Sequence, residues 1–307
     1  MSDKIFDIAI IGAGPAGLTS AIYCGRANLS TVVIGNVFDS QVAKAGDIQN
    51  YPGIASIQGI ELIEKFQEHA ERYDIAIVPS NVTRIIPGDV FTLYTDTEEY
   101  RSRSIIVATG AKHRELNIPG EKAYTYKGVS YCSICDGLLY KGKKVAVVGH
   151  GEQAAKATLY LAGLCSEVVM LTDRPDIDSP TYENQILSTG NIRVVTGAKV
   201  LSIEGNELVS RIKYAAREGP ATTEAVEGVF IEGGMPNSLI VKELGVGIDP
   251  KGNVIVHRPD QSTDVPGVFA AGDITGGIHQ ISKAVGEGAS AAMSAMLYVK
   301  SAGKRAR

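Results

Sequence analysis

Three observations predict an α/β chain of two dinucleotide-binding folds, the second inserted in the first. A glycine-rich turn, Gly12-Ala13-Gly14-Pro15-Ala16-Gly17, stands directly behind an apolar run near the N-terminus. A second turn, Gly149-His150-Gly151-Glu152-Gln153-Ala154, follows another apolar run in mid-chain. Near the C-terminus, Val265 to Phe269 leads through Ala270-Ala271 into Gly272-Asp273 and a helix rich in small residues, which reads as a second piece of the first fold.

Phe6 to Ile11 reads as a buried parallel strand, because a strand covered on both faces carries a nearly unbroken apolar run. In the G-x-G-x-x-G turn behind it, Gly12 makes the tight turn and Gly14 lets a pyrophosphate approach the backbone. The N-terminus of the helix that follows stabilises the negative charge. That helix carries the apolar stretch Leu18 to Ala27, with Cys24 as a small core residue. The next strand, Ser30 to Ile34, ends in Gly35-Asn36 in place of the acid that grips a ribose hydroxyl, and Asp39 is the nearest substitute.

The inserted fold opens with the strand Lys144 to Val148, its own glycine turn and a helix to about Leu164. Glu167 to Leu171 and Arg193 to Val195 are further strands, Ala198 to Ala215 is hairpin-like, and Gly234-Met235-Pro236-Asn237 closes the insert. The domain boundaries are therefore expected at 1–115 with 247–307 for the first fold and 116–246 for the second.

A length of 307 residues accommodates two domains with real cores. Charged residues make up 21% and the formal net charge is −4, so nothing in the composition points to a nucleic-acid or anionic-membrane surface. Lys300, Lys304, Arg305 and Arg307 read as a solvated helix end. No apolar run approaches the ~18 residues of a membrane span, and Asp3 and Asp7 interrupt any signal-peptide pattern. The expectation is a cytoplasmic protein with no membrane or nucleic-acid partner.

The cysteines are Cys24, Cys132, Cys135 and Cys165. Cys24 and Cys165 sit in apolar surroundings, and no second cysteine pair exists to complete a zinc site, so no metal is expected. Tyr131-Cys132-Ser133-Ile134-Cys135-Asp136 is different. A C-x-x-C pair can close a small disulfide and reopen it, and the adjacent carboxyl of Asp136 can move the proton each turnover requires. The apolar segment Leu138-Leu139-Tyr140 behind the pair predicts a short helix whose N-terminus lowers a thiol pKa.

Taken in order, Gly12 to Gly17, Gln49-Asn50-Tyr51-Pro52-Gly53, Ala108-Thr109-Gly110, Cys132 to Asp136 and Gly272-Asp273 resemble the signposts of a low-molecular-weight thioredoxin reductase, over essentially the whole chain. The resemblance implies a homodimeric two-domain flavoprotein holding FAD, which a donor reduces and which passes two electrons through the cysteine pair to thioredoxin or a thioredoxin-like protein. It implies that Cys135 faces the flavin as a charge-transfer thiolate, that Cys132 attacks the substrate disulfide, and that Asp136 is acid and base. Gly12, Gly14, Pro15, Ala16, Gln41, Asn50, Thr109, Gly110, Gly272, Asp273, Gln280 and Ile281 would line the flavin. His279 stands where the family often has arginine. The family also implies rotation of the small domain about two linkers, here near Asn117 to Gly120 and Leu244 to Gly247.

The donor site departs from the family. NADPH-using members clamp the 2′-phosphate with a basic run after the second strand of the inserted domain, whereas this chain reads Leu171-Thr172-Asp173-Arg174-Pro175-Asp176-Ile177-Asp178. Arg174 is a single cation among three carboxylates, so a 2′-phosphate meets repulsion there. Gly149, His150, Gly151, Asp173 and Arg174 form the candidate donor site. Asp173, 24 residues after Gly149, stands near where an acid grips the ribose diol of NADH. The segment resembles that of relatives using a reduced deazaflavin coenzyme, so deazaflavin or ferredoxin is favoured, ahead of NADH and of NADPH. Two rival readings use the same pair: a dithiol oxidase that needs no donor and hands electrons to oxygen, and a flavin-bound redox sensor.

Overall fold

Ile5–Ile11 is the central strand of a sheet, paired in parallel with Thr31–Ile34 on one side and Glu99–Val107 on the other. Ala76–Val78 extends the sheet beyond Thr31–Ile34. Glu99–Val107 serves two sets of neighbours. Its first half pairs antiparallel with Phe91–Thr95, which pairs with Val82–Ile86; its last residues pair in parallel with Val268–Ala270. Ile8, Ala9, Ile10, Ile105 and Ile106 are fully buried, as expected of strands covered on both faces.

The structure is a computed structural model that describes residues 4–217, 220–233, 235–236 and 238–305. The chain divides into two units, Met1–Lys112 with Met235–Arg307, and His113–Gly234. It crosses between them at Lys112/His113 and again at Gly234/Met235. Ala111–Lys112 pairs antiparallel with Met235–Pro236, which ties both crossing segments into the first unit. Asn117 to Gly120 therefore lies inside the second unit and Leu244 to Gly247 inside the first. Gly234 and Asn237 of the closing motif, and Arg307 of the basic tail, lie outside the described residues.

In the first unit the helix Pro15–Arg26 begins with proline at its first position, where the missing N–H has no partner to lose. It packs against Ile281–Arg305 through small residues. A Cβ at Gly288 would strike the Ala16 carbonyl, and Ser20 Oγ donates to the Gly288 carbonyl at 2.9 Å. A Cβ at Gly17 would strike the Gly12 carbonyl, so the third fingerprint glycine serves close packing.

The second unit holds a parallel sheet in the order Val129–Ser130, Gly228–Ile231, Lys144–Val148, Glu167–Leu171, Ile192–Val195. Helix Gly151–Ala162 follows the second glycine turn and ends at Gly163. The hairpin-like stretch is two strands, Lys199–Gly205 and Val209–Ala215, joined by a third, Ala221–Ala225. That third strand is mostly exposed and lacks the apolar alternation that marks a strand in sequence. Cys24 and Cys165 are buried free thiols, and burial pushes them up to about 12 and about 11. No helix among the described residues is long and apolar enough to cross a membrane.

Candidate functional site

Gly12 has φ +109°, and a Cβ there would strike the Ala108 carbonyl. Gly14 caps helix Pro15–Arg26 in extended conformation with no side-chain hydrogen bond to its amides, and a Cβ there would meet only Ser40 Cβ at 3.9 Å. The first glycine is thus fixed by the fold, while the second leaves open space at a helix N-terminus. Gly110 also faces open space.

Other residues implied by the resemblance belong to the same unit. Gln41 Nε2 donates to the Ala111 carbonyl at 2.9 Å, while its Oε1 is buried without a partner among the described residues. Asn50 Nδ2 donates to Gln280 Oε1 at 3.1 Å, joining two of the residues. Gly272 has φ +84°, and its amide donates to Glu287 Oε2 at 2.9 Å. Asp273 is half-buried and begins the turn Asp273–Thr275; burial raises its carboxyl, with His279 and Lys283 opposing. Lys283 Nζ reaches the Gly272 carbonyl at 3.0 Å and Glu287 Oε2 at 3.0 Å. The sequence reading missed this Lys283–Glu287 pair, although its i,i+4 spacing on a helix is the signal that could have found it. An unpartnered buried amide oxygen, open glycine backbones and a free helix N-terminus fit a flavin dinucleotide.

In the second unit Cys132 and Cys135 are joined by a disulfide with a Cα–Cα distance of 5.3 Å. Cys132 is the N-cap of the four-residue helix Ser133–Asp136, and its Sγ accepts from the Cys135 amide at 3.2 Å. Cys135 is exposed and Cys132 half-buried. Ser130 organises the acid: its Oγ lies 2.6 Å from Asp136 Oδ2 and accepts from the Cys132 amide at 3.1 Å. Burial raises the Asp136 carboxyl, and the Ser130 hydrogen bond only partly offsets it. Tyr131 donates to Glu121 Oε1 at 3.0 Å and stacks on His113. Glu121 is itself buried and accepts from the Leu116 and Asn117 amides, so the segment before the pair is anchored.

The second glycine turn carries the candidate donor residues. The Gly149 amide donates to the Leu171 carbonyl at 3.0 Å and the Gly151 amide to the Ile177 carbonyl at 3.0 Å, so both amides bond within the unit. His150 Nδ1 lies 3.1 Å from Asp173 Oδ1, and Arg114 Nη2 donates to Asp173 Oδ2 at 2.9 Å. Burial pulls the Asp173 carboxyl up, but Arg114 and then His150 outweigh it and hold it below the ordinary value. Arg114, which the sequence reading did not single out, therefore joins His150 and Asp173. Arg174 is exposed and stands apart from the pairing described for these three. A cavity of about 180 Å³ lies beside them at the carboxyl ends of the sheet, lined among others by Leu116, Val148, Leu171 and Lys199.

Residues 6–288 match the family model described as pyridine nucleotide-disulphide oxidoreductase. The chain belongs to that family. It is 34% identical to the thioredoxin reductase of Streptococcus pyogenes, whose crystal structure superposes with a TM-score of 0.89 over 98% of this chain and 100% of that one. A ferredoxin-flavin thioredoxin reductase from Clostridium acetobutylicum is 33% identical, with a TM-score of 0.54 over 97% of this chain and 98% of that one. A component of the alkyl hydroperoxide reductase of Pseudomonas putida is 37% identical over 95% of this chain, which spans 58% of that relative's length. The family is one of flavin-dependent disulfide oxidoreductases with a two-domain α/β fold.

Proposed function

We propose that this chain is a thioredoxin-disulfide reductase whose donor is other than NADPH. A reduced deazaflavin coenzyme or ferredoxin is favoured over NADH. The carrying observation is the Cys132–Cys135 disulfide at the start of a short helix, followed by a half-buried acid, Asp136, that Ser130 holds. FAD, when bound, accepts electrons from the donor and yields two of them to a disulfide. Gly12, Gly14, Pro15 and Ala16 would receive its pyrophosphate. Gln41, Asn50, Thr109, Gly110, Gly272, Asp273, Gln280 and Ile281 would hold the rest.

The chain's own residues then handle sulfur and proton. Cys132 attacks the target disulfide, Cys135 resolves the mixed disulfide, and the reopened pair closes again. The Cys135 amide donates to Cys132 Sγ, an arrangement that stabilises negative charge on that sulfur. Asp136 gives its proton to the departing thiolate, and the burial that raises its pKa keeps that proton available. Ile134, Leu138 and Leu139 are exposed beside the pair and offer apolar surface to a protein substrate. Asp136→Asn is expected to slow thioredoxin reduction by roughly 10²–10⁴-fold. Because the Asp136 pKa is raised, the unsubstituted enzyme holds its rate above the ordinary carboxylate range and loses it as pH rises through the raised value. Rates measured across pH check this, and the variant loses that limb.

A 2′-phosphate approaching the second glycine turn meets Asp173, Asp176 and Asp178, and would have to displace Asp173 from Arg114. The likeness to a ferredoxin-flavin enzyme supports the same reading. The reading also carries a homodimeric, cytoplasmic enzyme acting on thioredoxin or a thioredoxin-like protein. With a small dithiol and no donor, oxygen uptake is expected to stay at background; rapid uptake would replace the reductase by a dithiol oxidase.

A further inference from the structure

Glu232 follows the strand Gly228–Ile231 and is 4% exposed, and neither the cofactor nor the disulfide chemistry above uses it. Its Oε1 accepts from the amide of Ser133, the first residue of the redox helix, at 3.2 Å. Its backbone carbonyl abuts the second glycine turn, where a Cβ at Gly149 would lie 2.5 Å away. Cys132 Sγ accepts from the Cys135 amide of the same helix. A sulfur and a carboxylate therefore draw on amides of one four-residue helix, and two anions there oppose each other.

We infer that Glu232 is a positioning residue that takes up a proton when the Cys132–Cys135 pair is reduced, and so keeps one of the two sulfurs a thiolate. The inference rests on the disulfide-reductase reading. On reduction the S–S bond breaks and two electrons end on the sulfurs. One proton goes to a sulfur, and the second, drawn from solvent, goes to the Glu232 carboxylate instead of the other sulfur. Reoxidation by a target disulfide releases both protons and restores the charge on Glu232.

The environment agrees. Burial pushes the Glu232 carboxyl up to about 7, against the hydrogen bonds from Ser133, so it can change charge near neutrality. The charged and titratable groups on neighbouring elements are Asp136 on the redox helix, His150 on the glycine turn with its partner Asp173, and Arg114, whose Cδ lies 3.5 Å from the Cβ position of Gly233. Asp136 is bonded to Ser130, and Arg114 and His150 are bonded to Asp173. The influences acting on Glu232 itself are burial and Ser133.

The test compares the unsubstituted protein with Glu232→Gln after reduction by an excess of dithiothreitol and its removal, with alkylation by iodoacetamide followed across pH. The unsubstituted pair is expected to show an inflection that Glu232→Gln lacks. The thiolate of the reduced pair raises the carboxyl further, so the inflection is expected above the value of about 7 that holds beside the closed disulfide. The variant reacts faster, by a factor approaching ten, above that inflection, where Glu232 is charged, and equally below it. Infrared difference spectra of oxidised against reduced protein, assigned with ¹³C-labelled glutamate, are expected to gain a protonated-carboxyl band on reduction. That second measurement needs no variant, so it decides the matter even if Glu232→Gln does not fold. Identical pH profiles, or no such band, overturn the role of Glu232 alone. Failure of dithiothreitol to open the pair overturns the disulfide-reductase reading and this inference with it.

Discussion

Replacing Cys135 with serine is expected to abolish thioredoxin reduction, by three orders of magnitude or more, while flavin stays bound. The size of the effect follows from the chemistry. With one sulfur gone no disulfide can form within the pair, so a mixed disulfide with the target cannot be resolved from inside. Cys132 remains the cap of the redox helix, and serine at 135 retains the backbone amide that Cys132 Sγ accepts. The FAD-binding residues proposed above belong to the other unit, so flavin content is the control for folding. Measured turnover near that of the unsubstituted protein would remove the pair from the electron path.

The second large effect concerns the donor. Under anaerobic conditions, micromolar NADPH is expected to leave the flavin absorbance of the bound cofactor unchanged over minutes. A reduced deazaflavin coenzyme or reduced ferredoxin is expected to bleach it within seconds. The physical ground is local charge. The Arg114 guanidinium reaches the turn, but it is bonded to Asp173 and stands 3.1 Å from His150. Arg174 is exposed, and its backbone is tied to the unit through Thr172 and Gly197. Binding a 2′-phosphate there means separating an existing ion pair as well as overcoming Asp176 and Asp178. Exposed pairs such as Arg114–Asp173 are individually weak, about 0–1 kcal/mol, so the like-charge carboxylates carry most of the discrimination. Stopped-flow absorbance with each donor checks it.

Both glycine turns were legible because each combines an apolar strand, glycines at fixed spacing and a helix start, three signals within about 20 residues. The disulfide was legible from spacing, since two residues between cysteines fit a single turn at a helix start. Long-range pairing was not. Arg114 lies 59 residues before Asp173, and nothing in the local pattern says that the two meet. Glu232 likewise reads as one acid after an apolar strand, and only the parallel order that sets Gly228–Ile231 beside both Val129–Ser130 and Lys144–Val148 carries it under the redox helix. The return crossing at Gly234/Met235 likewise has no local signal, because the chain there is held by the pairing of Ala111–Lys112 with Met235–Pro236. Ala221–Ala225 was missed because its register is held by Val209–Ala215 rather than by a buried face of its own.

Anaerobic protein carrying photochemically reduced flavin, mixed once with oxidised thioredoxin, tests the electron path most directly. Thiols are counted on thioredoxin by mass after alkylation. The expected result is about two new thiols per reduced enzyme, appearing as the flavin reoxidises and absent in Cys135→Ser. Flavin that reoxidises with no thiols on thioredoxin, or thiols that form equally well in the serine variant, would contradict a relay through Cys132 and Cys135.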